Sequence, residues 1–322
     1  MTFHIAYVPT VLVCIAVAIK LQDMATFQPP VGTLMAEYIK SCPEYGTGAI
    51  NDFLCIIEPF FKDLVTNEIG KAFLTAFGTS GAVMSTHLLL RGGRSDASVF
   101  FSPLITAAVV LAGQVLGAGF VQLALVPLFL AISKTLTAPK STAAPSPPPS
   151  FVYIATTLVI QFTVFAISMG LSGVPPSNPA WVQINYAFQA FPILFLPLFF
   201  LSFIPTSKSE PTPTLGVSAL TFFKFIYAPL WWVTLAQGFN AYLRAGEPFT
   251  PPCYFMALDL FAFVLSFVGM YAVDAVAGDA PMAVPRMLGG LLVFGPASTM
   301  AAYFGKQESM LVEQVQAGKR RA

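Results

Sequence analysis

The amino-acid sequence predicts an all-α, polytopic integral membrane protein, a bundle of about eight and at most nine transmembrane helices. Three observations carry that reading. Of 322 residues, 56% are hydrophobic and only 10% charged, with a mean hydropathy of +0.74, whereas a soluble domain carries about 25% charge. Apolar runs close to 20 residues recur along the chain, and a helix needs about 20 residues to cross ~30 Å of hydrocarbon. Short polar, Gly- or Pro-containing segments such as RGGRSD and GVPPSNP separate them. Residues 1–322 read as a single integral membrane domain, with a Pro/Ser-rich linker at 135–150 between two halves.

The run from Ile5 to Leu21 has almost no positive flank and no small-residue cleavage pattern after it. A retained first helix fits better than a signal peptide. Residues 22–50 contain Pro29, Pro30 and Pro43 and read as a polar loop holding one short helix, GTLMAEYIK. The segment NDFLCIIEPFFKDL, Asn51–Leu64, has an apolar core too short to span but dense in aromatics. It is expected to lie at the interface or to re-enter. Its acids Glu58 and Asp63 are either solvated charges of an amphipathic helix or, for Glu58, a group turned inward beside Asp259.

Ala72–Leu90 is a span rich in small residues (Gly78, Ser80, Gly81) that allow close helix contact. His87 near its end reads as a packing or interfacial residue. Phe100–Ser133 holds 34 residues, about 51 Å of helix, so it is expected to break at GQVLGAG, Gly113–Gly119. That break would leave Gln114 and Gln122 inside the protein. Thr135–Ser150, TLTAPKSTAAPSPPPS, reads as an extended, solvated linker.

Phe151–Leu171 is a span with Gln161 at its middle. Trp181 opens the next helix, on which Gln183, Tyr186 and Gln189 recur every three residues and are assigned to one face. Pro192 and Pro197 predict a kink. Leu215–Phe239 carries Lys224, Trp231 and Trp232. A lysine there either snorkels to the interface or needs a carboxylate, for which Asp259 is the candidate.

Tyr254–Asp274 is the span around which the chain is organised. Asp259 lies about a turn inside one end and Asp274 at the other. A carboxylate at bilayer depth costs a few kcal/mol and normally faces a protein interior or wet cavity; the competing reading is a helix cap near the interface, stronger for Asp274. Leu288–Phe304 is the last expected span. The tail ends in Lys319, Arg320 and Arg321, which argues for a cytosolic C-terminus.

The same sequence excludes several function classes. A net charge of +1 leaves no footprint for nucleic acid. His4 and His87 cannot supply the histidine cluster that a membrane oxygenase iron requires. Cys14, Cys42, Cys55 and Cys253 lack metal-ligand spacing, so neither metal nor cofactor is expected; Cys42 and Cys55 could pair if their segment is lumenal. There is no glycine-rich phosphate cradle. DDxxD, DxDD and NDxxD are all absent, Asn51-Asp52 being followed by FLCI, so magnesium–diphosphate chemistry lacks its clustered acids. What remains suits an apolar cavity. Desolvation favours the neutral form of a carboxyl and makes it a usable general acid, and aromatic faces attract cations that water would quench.

The segments IIEPFFKDL, SNPAWVQINYAFQAFP and FFKFIYAPLWW, in a layout of eight or so spans over roughly residues 50–305, resemble fungal membrane-bound terpene cyclases of the ascochlorin/ascofuranone and macrophorin type. The resemblance implies cyclisation of a farnesyl chain on an aromatic head group by protonation of a terminal olefin or epoxide, with no loss of diphosphate. It places such a protein in secondary metabolism, in the endoplasmic reticulum membrane. The expected partners are an apolar prenylated substrate, the lipid bilayer and other enzymes of the same pathway. The residues themselves nominate Asp259, Glu58 and Asp63 as proton donors. Trp231, Trp232 and Tyr186 would stabilise cations or shape the substrate, Gln183 and Gln189 would orient the head group, and Lys224 would join them in the pocket. Two other classes stay open. A small permease would use Lys224, Asp259 and Glu58 as a relay beside a discontinuous helix at Gly113–Gly119. A membrane scaffold would tolerate neutralisation of all these acids.

Overall fold

The computed structural model describes residues 5–42, 49–94, 97–136, 149–204 and 213–321. The regular structure among them is helical throughout. Seven helical stretches are long and apolar enough to cross a membrane. They are α1 (Val8–Thr26, entered by a turn of 3₁₀ helix), α4 (Glu68–Gly92), α6 (Ala118–Leu136), α7 (Phe151–Gly173), the α8–α9 stretch (Ala180–Ala190 and Leu196–Leu201, joined by a 3₁₀ turn containing Pro192), α10 (Pro213–Leu243) and α11 (Pro251–Val276). Large apolar side chains such as Leu12, Phe162, Phe200, Phe225 and Phe261 point outward, which water would penalise and lipid does not. The protein is an integral membrane helix bundle.

The centre of the bundle is a parallel pair, α6 and α11. Gly119 meets Asp259, the Ser266 hydroxyl donates to the Gln122 carbonyl at 3.0 Å, and Lys134 meets Asp274. Three levels of contact thus keep one register along the pair. The pair is covered by α1, whose Cys14, Ala18 and Leu21 join Phe120, Leu123 and Ala262 in one apolar cluster. Small residues set the spacing: a Cβ on Gly119 would overlap the Asp259 carbonyl, so only glycine lets α6 approach α11 at that level.

The expected break between Phe100 and Ser133 is a helical hairpin. α5 (Pro103–Leu116) ends at Gly117, whose φ of 94° is open to glycine and closed to most other residues. The chain returns as α6, and the ring of Phe100 before α5 stacks on Phe129 late in α6 at 5.1 Å. At 14 residues α5 is about 21 Å long, shorter than the seven long stretches.

The last expected span, Leu288–Phe304, is not a single helix. It splits at Gly295 (φ 80°) into α12 (Val284–Val293) and α13 (Gly295–Arg321). Both arms reach one face of the bundle: Tyr271 near the end of α11 donates to the Met282 carbonyl before α12, and Glu308 on α13 pairs with Arg94 just after α4. The turn at Gly295 abuts Trp231 in mid-bundle. α12 and α13 therefore form a re-entrant hairpin rather than a crossing. An apolar window of the right length could not reveal this, because the interruption is one glycine conformation.

Two short helices lie at the opposite face. α2 (Val31–Ser41) coincides with the expected GTLMAEYIK helix, and α3 (Ala49–Thr66) runs through Pro59. A Cys42–Cys55 disulfide joins them, with Cα atoms 5.5 Å apart, and the Tyr38 phenol donates to the Asp63 carboxylate. The central part of the 135–150 linker, residues 137–148, lies outside the described residues, as does His4.

Candidate functional site

The site is built on the α5–α6 turn. A helix leaves its first backbone N–H groups without intrahelical partners, and at α6 that deficit falls inside the protein, among Gly117, Ala118, Gly119 and Phe120, all buried. Asp259 meets it from α11. Its Oδ1 accepts from the Gly119 N–H at 2.7 Å, and the N–H groups of Ala118 and Phe120 also turn toward the carboxyl. The side chain is 3% exposed and forms no ion pair among the described residues. Of the two sequence readings of Asp259, the cap of its own helix is corrected: the carboxyl is buried and answers the first N–H groups of a different helix, α6.

Asp259 stands in the wall of a cavity of about 320 Å³, within the range of small-molecule sites. The cavity is bounded by the end of α1, by α2 and α3, by the α5–α6 turn, and by α4, α8 and α11. Its lining is aromatic: Phe53, Phe60, Phe61, Phe77, Phe188 and Phe255 contribute, with edge-to-face contacts of Phe60 on Phe255 at 5.3 Å and Phe61 on Phe188 at 5.5 Å. Polar groups are few. Asp259 is joined by Gln22, Thr26, Gln114 and, with an exposed side chain, Asp52.

The other nominated residues do not gather here. Glu58 is half-buried on α3 and accepts from the Tyr186 phenol at 3.2 Å, outside the cavity lining. Asp63 is exposed and holds Tyr38. The Gln183–Tyr186–Gln189 stripe divides: Gln183 is exposed, Tyr186 faces Glu58, and Gln189 is buried, donating to Asn185 Oδ1 at 3.2 Å. Each step of three residues turns the helix 60° short of a full circle, so six residues separate the ends of the stripe by about 120°. Trp231 and Trp232 are about 100° apart for the same reason. Trp231 supports the Gly295 turn, and Trp232 is 54% exposed toward lipid. Lys224 does not reach Asp259. It lines a separate cavity with Arg286 and Lys306.

A polar cluster that sequence reasoning missed occupies the far end of α11. Asp274 is 1% exposed, accepts from Tyr303 and Gln307 at 2.7 Å each, and pairs with Lys134 at 2.9 Å. Beside it Arg94 and Glu308 form a buried ion pair, and His87 lies flat on Phe304 with ring centroids 3.8 Å apart. Neither ring nitrogen of His87 has a hydrogen-bond partner among the described residues. The reading of Asp274 as an interfacial cap is corrected: it closes a buried network between α6, α11 and α13. Only the joint appearance of Lys134, Asp274 and Gln307 in three distant segments could have signalled it.

No family model, curated protein or solved structure matches the chain.

Proposed function

We propose that the chain is a membrane-embedded terpene cyclase in which Asp259 starts the reaction as a general acid. The observation that carries this reading is a buried carboxyl in the wall of an aromatic cavity. With Oδ1 held by the Gly119 N–H, the second carboxyl oxygen is the one that presents a proton. Transfer to the terminal olefin carbon, or to the oxygen of a terminal epoxide, leaves a tertiary cation on the neighbouring carbon. An internal double bond attacks that centre, the ring closes, and the charge moves along the chain. The faces of Phe60, Phe61 and Phe255 stabilise such a cation electrostatically and keep water from it. Loss of a proton from the last cation to the Asp259 carboxylate restores the acid, so the product has the mass of its precursor.

The resemblance of IIEPFFKDL, SNPAWVQINYAFQAFP and FFKFIYAPLWW to the fungal membrane cyclases supports the same reading, and with it a farnesylated phenolic precursor. Location in the endoplasmic reticulum accords with two features. The Cys42–Cys55 disulfide suits an oxidising lumen, and α13, which runs to the opposite face, ends in the basic run Lys319, Arg320 and Arg321, as cytosolic segments do. The α2–α3 cap would then cover the cavity on the lumenal side.

The permease alternative loses support. Its relay required Lys224 and Glu58 beside Asp259, and neither is there. Between Asp259 and Asp274, α11 buries Ala262, Phe263, Phe267 and Met270, and the hydroxyl of the buried Ser266 among them is taken up by the Gln122 carbonyl.

The test is to express the protein in a heterologous host and feed its microsomes a farnesylated phenol and the corresponding terminal epoxide. A product of unchanged mass and shifted retention is expected from one of them. Recovery of both precursors intact from correctly folded protein would overturn the proposal.

A further inference from the structure

A second cavity lies where the re-entrant hairpin meets α10. Its volume is about 780 Å³, and three cations line it: Lys224 from α10, Arg286 from α12 and Lys306 from α13. No carboxylate lines it, and none of the three cations forms an ion pair among the described residues. The rest of the lining is apolar or small, as at Val293, Phe294 and Ala302. The wall also includes Thr299, whose hydroxyl is buried without a hydrogen-bond partner among the described residues.

Helix direction leans Lys224 and Lys306 toward one another along the bundle axis. Side chains lean toward the N-terminus of their own helix. α10 enters from the face that holds Arg94 and Glu308, since Gly216 lies against Leu90 near the end of α4, so Lys224 leans outward toward that face. α13 runs back to the same face, so Lys306 leans inward. Arg286 stands in the first turn of α12, where the helix dipole adds positive potential. Like charges gathered around one space at the edge of a bilayer are unfavourable unless an anion answers them.

We propose that this cavity binds a membrane amphiphile whose phosphate head group is net negative, with that head group on Lys224, Arg286 and Lys306 and the acyl chain along Val293 and Phe294. The site is separate from the Asp259 cavity and does not depend on the cyclase reading. Lipid head-group phosphate and soluble phosphate share the chemistry, and the test must tell them apart.

The experiment is a thermal-unfolding titration of the full-length protein in detergent, with phosphatidic acid or phosphatidylinositol, with phosphatidylcholine, and with inorganic diphosphate. Anionic lipid is expected to raise the midpoint in a saturable way, and the other two to leave it unmoved. Each Lys→Gln or Arg→Gln substitution should weaken binding roughly fivefold, and all three together about a hundredfold. Equal stabilisation by phosphatidylcholine would overturn the proposal, and so would an effect of diphosphate as large as that of lipid. Should the triple variant fail to fold, the exposed Lys306→Gln variant alone decides: unchanged lipid affinity there overturns the assignment.

Discussion

The Nζ of Lys134 and Oδ1 of Asp274 lie 2.9 Å apart, and they close the end of the α6–α11 pair opposite to the one closed by Gly119 and Asp259. The two aspartates are 15 residues apart, about 22 Å along α11. Each end of α6 meets a charge of the sign that its polarity favours. Asp259 faces the positive N-terminal end, while Asp274 engages a lysine in the last turn, where a cation is favoured. One helix thus grips both ends of its neighbour.

Substitution at Asp259 separates its two roles. Asparagine keeps an acceptor for the α6 N–H groups and is as good a cap as aspartate, yet it has no acidic proton. Asp259→Asn is expected to fold normally and to lose 10²-fold or more of its cyclisation rate, about what general acid catalysis supplies. Asp259→Ala leaves buried N–H groups unpaired and should also lose about 1–3 kcal/mol of stability. Detergent-resistance melts read beside product formation distinguish the two variants. Full activity in Asp259→Asn would remove the acid assignment.

Lys134→Met strands the Asp274 carboxylate in a buried site. The expected cost is about 3 kcal/mol or more, read as a lowered unfolding midpoint. The double variant Lys134→Met, Asp274→Asn should recover much of that loss, because the one carboxylate then left without its lysine, Asp279, is exposed to solvent. Additive single effects would mean that the pair is not coupled.

Gly119→Ala inserts a methyl group against the Asp259 carbonyl. Overpacking of this kind costs about 1–3 kcal/mol, and here it also pushes α6 from the acid. Activity should fall more steeply than stability in this variant. A stable variant with full turnover would show that the close approach is dispensable.

The α2–α3 cap offers a test by reduction and by pH. The disulfide closes a loop with a sequence separation of 13, for which about 3 kcal/mol of stabilisation is expected. Cys42→Ser with Cys55→Ser should lower the melting midpoint accordingly. Burial, and then the Asp63 carboxylate, raises the Tyr38 phenol above its ordinary range. The folded state therefore keeps that proton to higher pH than the unfolded chain, and stability should fall as pH rises above ~10. Tyr38→Phe should flatten that alkaline limb.

Much of the architecture was legible because bilayer thickness imposes one length on every crossing. Glycine and proline marked the α5–α6 turn and the α8–α9 kink before any coordinate did. Asp259 was legible for a different reason: a carboxyl within an apolar run must be answered by something. What answers it was hidden, since the Gly119 N–H is a backbone group and has no sequence signature. Glu58, Trp231, Trp232 and Lys224 stand outside the Asp259 cavity because residue type says little about azimuth, and small helical offsets turn neighbours onto different faces. The Gly295 turn escaped for a similar reason. A hydropathy window sees Leu288–Phe304 as continuous, while the chain reverses at one residue. The Cys42–Cys55 pairing, left open by spacing, depended on α2 folding back on α3.

The contact between Asp259 and Gly119 joins residues 140 positions apart. On an elongating chain, α5 and α6 leave the ribosome long before α11 exists. Until it arrives, the start of α6 presents unsatisfied amide groups inside the hydrocarbon, an arrangement the bilayer resists. The hairpin must wait in a shallow, water-exposed or chaperoned position, and α11 delivers the carboxyl that lets it settle. A truncation before α11 is therefore expected to leave the α5–α6 hairpin short of its final depth.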